Sequence, residues 1–273
     1  MRIGVGLPNS VPGTDAPTLL EWSRRAEDGP FSSVAVVDRL VWDCYEPMAA
    51  LAAAARLTRR VRLATTVVIA PLRRPALLIH QVEALQDLSG GRLTLGVAIG
   101  ARRDDYAAAG VPHTGRGARL DDMLDELRDR MGTGVEILVG GGGERAFARA
   151  ARIGDGYVHG GGPPRAFARA ASGALAAWRD AERAGSPALW GQGYFALGDA
   201  ADAGRAYMRS YYAFTGPFAE RIAEGLLTTP QAVAQFLRGY AEAGCDEVAL
   251  MPAVADPDQA GLLQDVLERT GWA

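Results

Sequence analysis

The stretch Val135-Glu136-Ile137-Leu138-Val139-Gly140-Gly141-Gly142-Gly143-Glu144-Arg145 decides how this chain is read. Its nearly unbroken apolar run is what a strand buried on both faces needs, as in a parallel sheet covered by helices. The run opens through glycines into a segment of helical composition, which makes a βα unit. Backbone N–H groups at such an opening are free, and the start of a helix adds partial positive charge. Glycine then lets that backbone approach a ligand closely. Gly140, Gly141 and Gly142 therefore point to a phosphate, with a plain flexible βα turn as the alternative. The motif is not a Walker loop, because no Gly-Lys-Ser/Thr follows, and it is not GxGxxG.

Outward from this unit the same grammar repeats. Apolar runs at 3–7, 34–38, 61–67, 93–99, 135–139, 156–159, 189–197 and 247–251 predict strands, and amphipathic segments such as 18–28, 47–57, 75–88 and 116–130 predict the intervening helices. Eight such strands predict an α/β fold, a single parallel (β/α)8 TIM barrel forming one domain over residues 1–273. That length suits one such barrel. Two connections are long, 101–115 after the fourth strand and 198–246 between the last two. The second has room for two or three helices and is expected to lie over the barrel mouth.

Carboxyl ends of barrel strands carry functional groups, so residues there are the candidates. A second glycine cluster, Gly160-Gly161-Gly162-Pro163-Pro164, follows the sixth strand. Two adjacent glycine-rich loops late in a barrel match the place where such barrels hold phosphate. His159 ends a strand beside that cluster and is placed for a cofactor contact. Asp38 ends the second strand and is expected to face the mouth; the alternative is that it caps the next segment and pairs with Arg39. Arg73-Arg74 and Arg102-Arg103 are read as cations that meet a phosphate or an acidic tail, or else are solvated or paired with Asp104 and Asp105. His80 is expected to pack within its helix, and His113 to lie over the mouth. No two histidines have the spacing of a helical metal site, so no metal is expected. Trp42, Tyr45, Tyr194 and Phe195 are candidates for walling an apolar pocket, whereas Trp190 is read as core.

Lys and Arg total 29 against 32 Asp and Glu, a formal net charge of -3, which supplies no electrostatic reason for a nucleic acid or an anionic membrane as partner. Cys44 and Cys245 are far apart and read as two free thiols in a reducing compartment. The opening Met1-Arg2-Ile3-Gly4-Val5-Gly6-Leu7-Pro8 is too short an apolar stretch for a signal peptide, and no run approaches a membrane span. The expectation is a soluble cytoplasmic protein acting on a small-molecule substrate, with a homodimer left open.

Several motifs now fall in a recognisable order. Val61-Arg62-Leu63-Ala64-Thr65-Thr66-Val67-Val68-Ile69-Ala70-Pro71-Leu72-Arg73-Arg74-Pro75 resembles the third-strand signature of the bacterial-luciferase-like flavin oxidoreductases. So do Leu88-Ser89-Gly90-Gly91-Arg92-Leu93-Thr94-Leu95-Gly96-Val97, and Gly110-Val111-Pro112 followed by Arg116-Gly117-Ala118-Arg119-Leu120. Val139-Gly140-Gly141-Gly142 with Ala150-Ala151-Arg152-Ile153-Gly154-Asp155-Gly156 is similar to that family's phosphate loop. The resemblance runs along nearly the whole chain.

It implies a TIM barrel using the deazaflavin coenzyme F420 or FMN for hydride transfer with a small organic substrate. F420 is preferred, for overall likeness and for the arginine-rich loops. An FMN-dependent monooxygenase served by a separate reductase and a non-catalytic flavin-binding barrel are the alternatives. The resemblance further implies that Asp38 lies near the reacting ring, and that Thr66 and Val67 form a bulge behind it with a non-prolyl cis peptide. Gly140 to Gly142 would bind phosphate. Three departures stand out: Arg39 where many members have His, Ala101 where many have Trp, and only Met131-Gly132-Thr133-Gly134 where the family carries a longer segment.

Overall fold

Nine parallel strands fill the eight positions of a closed barrel, because one strand is broken in two. They are β1 (Arg2–Gly6), β2 (Ser33–Val36), β3 (Arg62–Thr65), β4 (Val68–Ile69), β5 (Leu93–Ala98), β6 (Glu136–Gly140), β7 (Gly156–Val158), β8 (Ala188–Phe195) and β9 (Glu247–Pro252). The hydrogen-bonded order is β3-β2-β1-β9-β8-β7-β6-β5-β4, and β3 also pairs with β5 through Leu63 and Leu93 to close the ring. The computed structural model describes residues 1–273.

All the expected strands form, and apart from the broken one their ends move by no more than two residues. The exception is the run at 61–67. The Thr66–Val67 peptide is cis, β3 stops at Thr65, and β4 resumes at Val68 beside β5 alone. This matches the cis bond that the family resemblance implied.

Helices α1 (Ala16–Asp28), α2 (Pro47–Leu57), α3 (Pro75–Leu88), α4 (Arg103–Ala108), α5 (Arg116–Met131), α6 (Glu144–Ile153) and α7 (Pro164–Asp180) follow the first strands. Their starts are written in the sequence. Asp15 accepts the Thr18 N–H to cap α1, and α2, α3 and α7 each open with proline, which needs no N–H partner there. The insertion after β8 holds three helices, α8 (Ala201–Tyr211), α9 (Phe218–Glu224) and α10 (Pro230–Glu242), before β9, and α11 (Asp258–Thr270) closes the chain. Past α9 the chain returns to the barrel, where Leu227 donates to the Tyr194 carbonyl and Ala196 to that of Leu227.

Two hydrophobic regions result. The larger lies between strands and helices and includes Trp22, Phe31, Leu51 and Phe167. The smaller fills the barrel and its mouth, with Ala35, Leu138, Trp190 and Met251. Below it, at the amino ends of the strands, the lumen is ionic. Glu247 is fully buried and accepts from Ser32, Ser33 and Arg2, while Arg62 pairs with Glu136. Buried carboxylates are tolerated only when partnered in this way. Chemistry is thereby left to the other end, where the strands finish in loops. No helix is long and apolar enough to cross a membrane.

Candidate functional site

A cavity of about 280 Å³ opens where the strands end. Val37 and Asp38 after β2, Thr66, Val67 and Ile69 around the cis peptide, and Gln192 and Tyr194 of β8 form its floor and walls. In the strand order β8 stands four places from β3, so Tyr194 faces Thr66 and Val67 across the mouth. Tyr211, Tyr212 and Phe214 of the insertion close one side.

Asp38 is here, as expected, but its partner differs. Its carboxylate accepts the Ile69 N–H at 2.8 Å and two nitrogens of Arg73; Arg73 also reaches Glu46 at 3.1 Å. The expected alternative, pairing with Arg39, is corrected: Arg39 points elsewhere. Arg73 lies 35 positions from Asp38 in the chain, and only the β2–β4 juxtaposition brings them together.

Arg39 is buried, with its guanidinium centred 4.9 Å from the Trp42 ring and 4.8 Å from that of Tyr211. Cations held over aromatic faces in this way are attracted by the ring quadrupole. Its Nε lies 3.5 Å from Asp105 Oδ2, and Arg102 Nε lies 3.8 Å from the same oxygen. Asp105 is fully buried, and its other oxygen accepts the N–H groups of Leu40 at 3.0 Å and Val41 at 2.8 Å. Arg102 also pairs with Asp104. Arg102 thus takes the alternative the sequence offered, pairing with Asp104 and Asp105, while Arg73 is held by Asp38 and Glu46, so neither is a cation free for a ligand.

Two glycine loops flank the cavity. Gly140 is the last residue of β6 and is packed; a Cβ there would stand 3.1 Å from Val67 Cγ1. The open part of the loop is Gly141–Gly143, whose N–H groups donate to no atom of the chain; the same holds for Gly160, Gly161 and Gly162. Gly141 has φ +143° and Gly161 φ +104°, conformations that L side chains rarely adopt. Tyr157 joins the loops: its hydroxyl donates to the Gly141 carbonyl at 2.6 Å and lies 3.3 Å from His159 Nδ1. With that phenolic proton spent, the contact is a hydrogen bond in the tautomer that carries its proton on Nδ1, and in that tautomer the buried, unpartnered Nε2 is an acceptor. Burial pushes the imidazole below its ordinary value, and a hydrogen bond with the Gly161 backbone offsets part of this.

His159, Gly160 and Gly161 follow β7, Gly140 to Gly142 end and follow β6, and Asp38, Thr66 and Val67 meet at the cavity. His113 is not at the cavity but against Tyr106, at 5.1 Å between rings. His80 does not pack: its side chain is 81% exposed, because Leu78, Ile79, Val82 and Leu85 form the buried stripe of α3. Trp190 is core, fully buried. Both cysteines are free; burial pushes the Cys44 thiol up to about 11 and that of Cys245 up to about 12, so neither is an activated nucleophile. Sequence reasoning took Asp105 only as a partner for the arginines and missed Gln192 and the aromatic wall Tyr207-Tyr211-Tyr212-Phe214; the spacing of 207 and 211, one helical face, was the available signal.

The family model of luciferase-like monooxygenases matches residues 1–136. An uncharacterized protein of Mycobacterium tuberculosis is 34% identical over 132 residues, covering 40% of this chain and 45% of that protein. The chain thus matches under half the length of that curated relative. Among solved structures, the monooxygenase RslO1 from Streptomyces bottropensis aligns with a TM-score of 0.82 at 21% identity, over 99% of this chain and 98% of that one. An F420-dependent secondary alcohol dehydrogenase in complex with an F420-acetone adduct aligns with a TM-score of 0.82 at 14% identity, over 98% of both chains. At these identities the structural likeness shows the barrel alone. The family model identifies more: residues 1–136 belong to the luciferase-like monooxygenase family.

Proposed function

We propose that the protein is an oxidoreductase that binds a flavin-type cofactor at the barrel mouth and catalyses hydride transfer with a small organic substrate. One observation carries this reading: the unpartnered N–H groups of Gly141–Gly143 and Gly160–Gly162 flank a cavity walled by the Thr66–Val67 cis peptide. Free N–H groups beside the starts of α6 and α7 suit a phosphate. The buried, unpartnered His159 Nε2 and Gln192 Oε1 suit hydroxyl groups of a cofactor chain. When bound, the isoalloxazine or deazaflavin ring supplies the hydride chemistry, and the protein supplies position and exclusion of water. Asp38 is proposed to act by fixing the backbone beyond Val67, and Thr66 and Val67 by supporting the ring.

Of the two cofactors coenzyme F420 is favoured. Arg145 and Arg165 open α6 and α7 beside the glycine loops, are exposed, and carry no ion pair, so they suit the acidic tail that FMN lacks. An FMN-dependent monooxygenase with a separate reductase is the second reading, and RslO1, itself a monooxygenase of this fold, favours it. Titrating the purified protein with F420 and with FMN separates them. Tighter F420 binding, weakened by Arg145→Ala with Arg165→Ala, is expected. Tighter FMN binding reverses the choice, and binding of neither removes the proposal. A cofactor held but never turned over with any acceptor would mark a non-catalytic binder.

A further inference from the structure

The mouth has a second wall with its own chemistry, and this inference rests on reading the mouth as the substrate site. Tyr194, the last residue but one of β8, is nine-tenths buried and stands opposite Thr66 and Val67. Tyr212 donates its hydroxyl proton to the Tyr194 oxygen at 3.1 Å. The pair holds two phenolic protons and makes one hydrogen bond, so the proton of Tyr194 is unspent. No other acceptor in the chain lies within reach of it, which leaves the cavity. Around it stand ring faces and edges: Tyr212 meets Tyr194 edge-on at 5.9 Å and Tyr211 at 5.0 Å, and Phe214 stacks on Tyr212 at 6.2 Å.

We propose that this wall is a binding site for an aromatic carbonyl compound, an aryl ketone or quinone, whose oxygen accepts the hydroxyl of Tyr194. An aromatic wall suits a flat ring, which packs edge-to-face or offset against its neighbours. A buried hydroxyl with a free proton calls for an acceptor, and leaving it unmade costs free energy. Burial beside three other tyrosines also holds the Tyr194 phenol well above its ordinary range, so the group stays a donor at neutral pH. The charges nearby are neutralised among themselves, Asp38 by Arg73 and Asp105 by Arg39, so the site selects a neutral ligand. Arg39 is committed to Asp105, so Tyr194 supplies the polar hydrogen on the substrate's side.

The test compares 2-acetylnaphthalene with 2-ethylnaphthalene, alike in ring and differing in the oxygen, on the full chain with and without coenzyme F420. The carbonyl stretch of the bound ketone, labelled with carbon-13, is read by difference infrared spectroscopy. Wild-type protein is expected to bind the ketone more tightly and to lower its carbonyl stretch relative to the ketone in a hydrocarbon solvent. Tyr194→Phe should weaken ketone binding by about tenfold, the worth of one hydrogen bond, return the stretch upward, and leave the hydrocarbon unaffected. Tyr212→Phe keeps the Tyr194 proton and should retain the lowered stretch. An unshifted stretch in the wild type overturns the proposal, whether or not the variants fold. So does equal loss of both probes in Tyr194→Phe, or loss of the shift only in Tyr212→Phe. F420 titrated alone tests the cofactor reading, so the two can fail separately.

Discussion

Asp38 Oδ2 accepts the backbone N–H of Ile69 at 2.8 Å, which ties the end of β2 to the chain just beyond the Thr66–Val67 peptide. The same carboxylate neutralises Arg73, so one residue holds both the backbone and the nearest cation in place.

Asp38→Ala should therefore cost stability as well as activity. Removing one partner of a buried ion pair costs about 3 kcal/mol or more, which lowers Tm by roughly 6–12 °C in a domain of this size. Thermal unfolding of Asp38→Ala, Arg73→Ala and the double variant checks it. The double variant should lose clearly less than the sum of the two, because the charge left behind by either single change is gone. Additive losses would mean that the pair is not coupled.

Neighbouring glycines should separate shape from contact. Gly141→Val forces a side chain onto φ +143°, and its Cβ would stand 2.9 Å from Ala146 Cβ. Cofactor affinity should fall more than tenfold, about 1.4 kcal/mol, with a measurable drop in Tm. Gly142→Ala meets nothing within 4 Å and should leave Tm unchanged. Fluorescence titration and thermal unfolding of both variants decide whether the loop is a cradle or a mere turn.

His159 should make stability fall on the acid side. Its folded pKa lies below the ordinary 6.5 because burial disfavours the imidazolium. Below pH 6.5 the unfolded chain thus binds more protons than the folded one. The contribution is complete above 6.5 and is lost as pH falls through the interval down to the depressed value. Tm measured at about pH 7.5 and about pH 5.5 should differ less in His159→Gln than in the wild type. An identical difference would show that this imidazole does not report on folding.

Asp105→Ala should loosen the segment after β2 locally. Leu40 and Val41 lose the acceptor of both N–H groups, and Arg39 loses its counter-charge. Hydrogen exchange at Leu40 and Val41 should accelerate, while amides of β6 and β9 exchange as before. Uniform acceleration would point to global destabilisation instead.

The strands were legible because each is buried on both faces, so that, apart from the partnered ions Arg62, Glu136 and Glu247 at their amino ends, they read as mostly apolar runs. The break in the third strand was not legible from hydropathy, since Val67, Val68 and Ile69 continue the run without a gap; it came from the resemblance. The Asp38–Arg73 pair was hidden by distance along the chain, and Asp105 looked like a surface partner for arginines although it is fully buried. His80 was misplaced because a histidine among leucines suggests an interior, whereas the 78–79–82–85 stripe turns it outward. Tyr211, Tyr212 and Phe214 lie beyond β8 in a connection with no strand pattern. Their meeting with Tyr194 depends on how the insertion folds back, which no local spacing encodes.

The connection between α5 and β6 is only Gly132 to Val135, so no helix is inserted there, in contrast to the stretch after β8. The aromatic cover comes from one continuous piece, Gly198 to Leu226, anchored where Leu227 bonds the carbonyl of Tyr194. The cover is therefore a part distinct from the barrel, meeting it at Tyr194 and Ala196 of the eighth strand's end. If the mouth is the substrate site as proposed, exchanging the stretch between those two anchor points should reshape the cover while the barrel strands and glycine loops keep their own bonds.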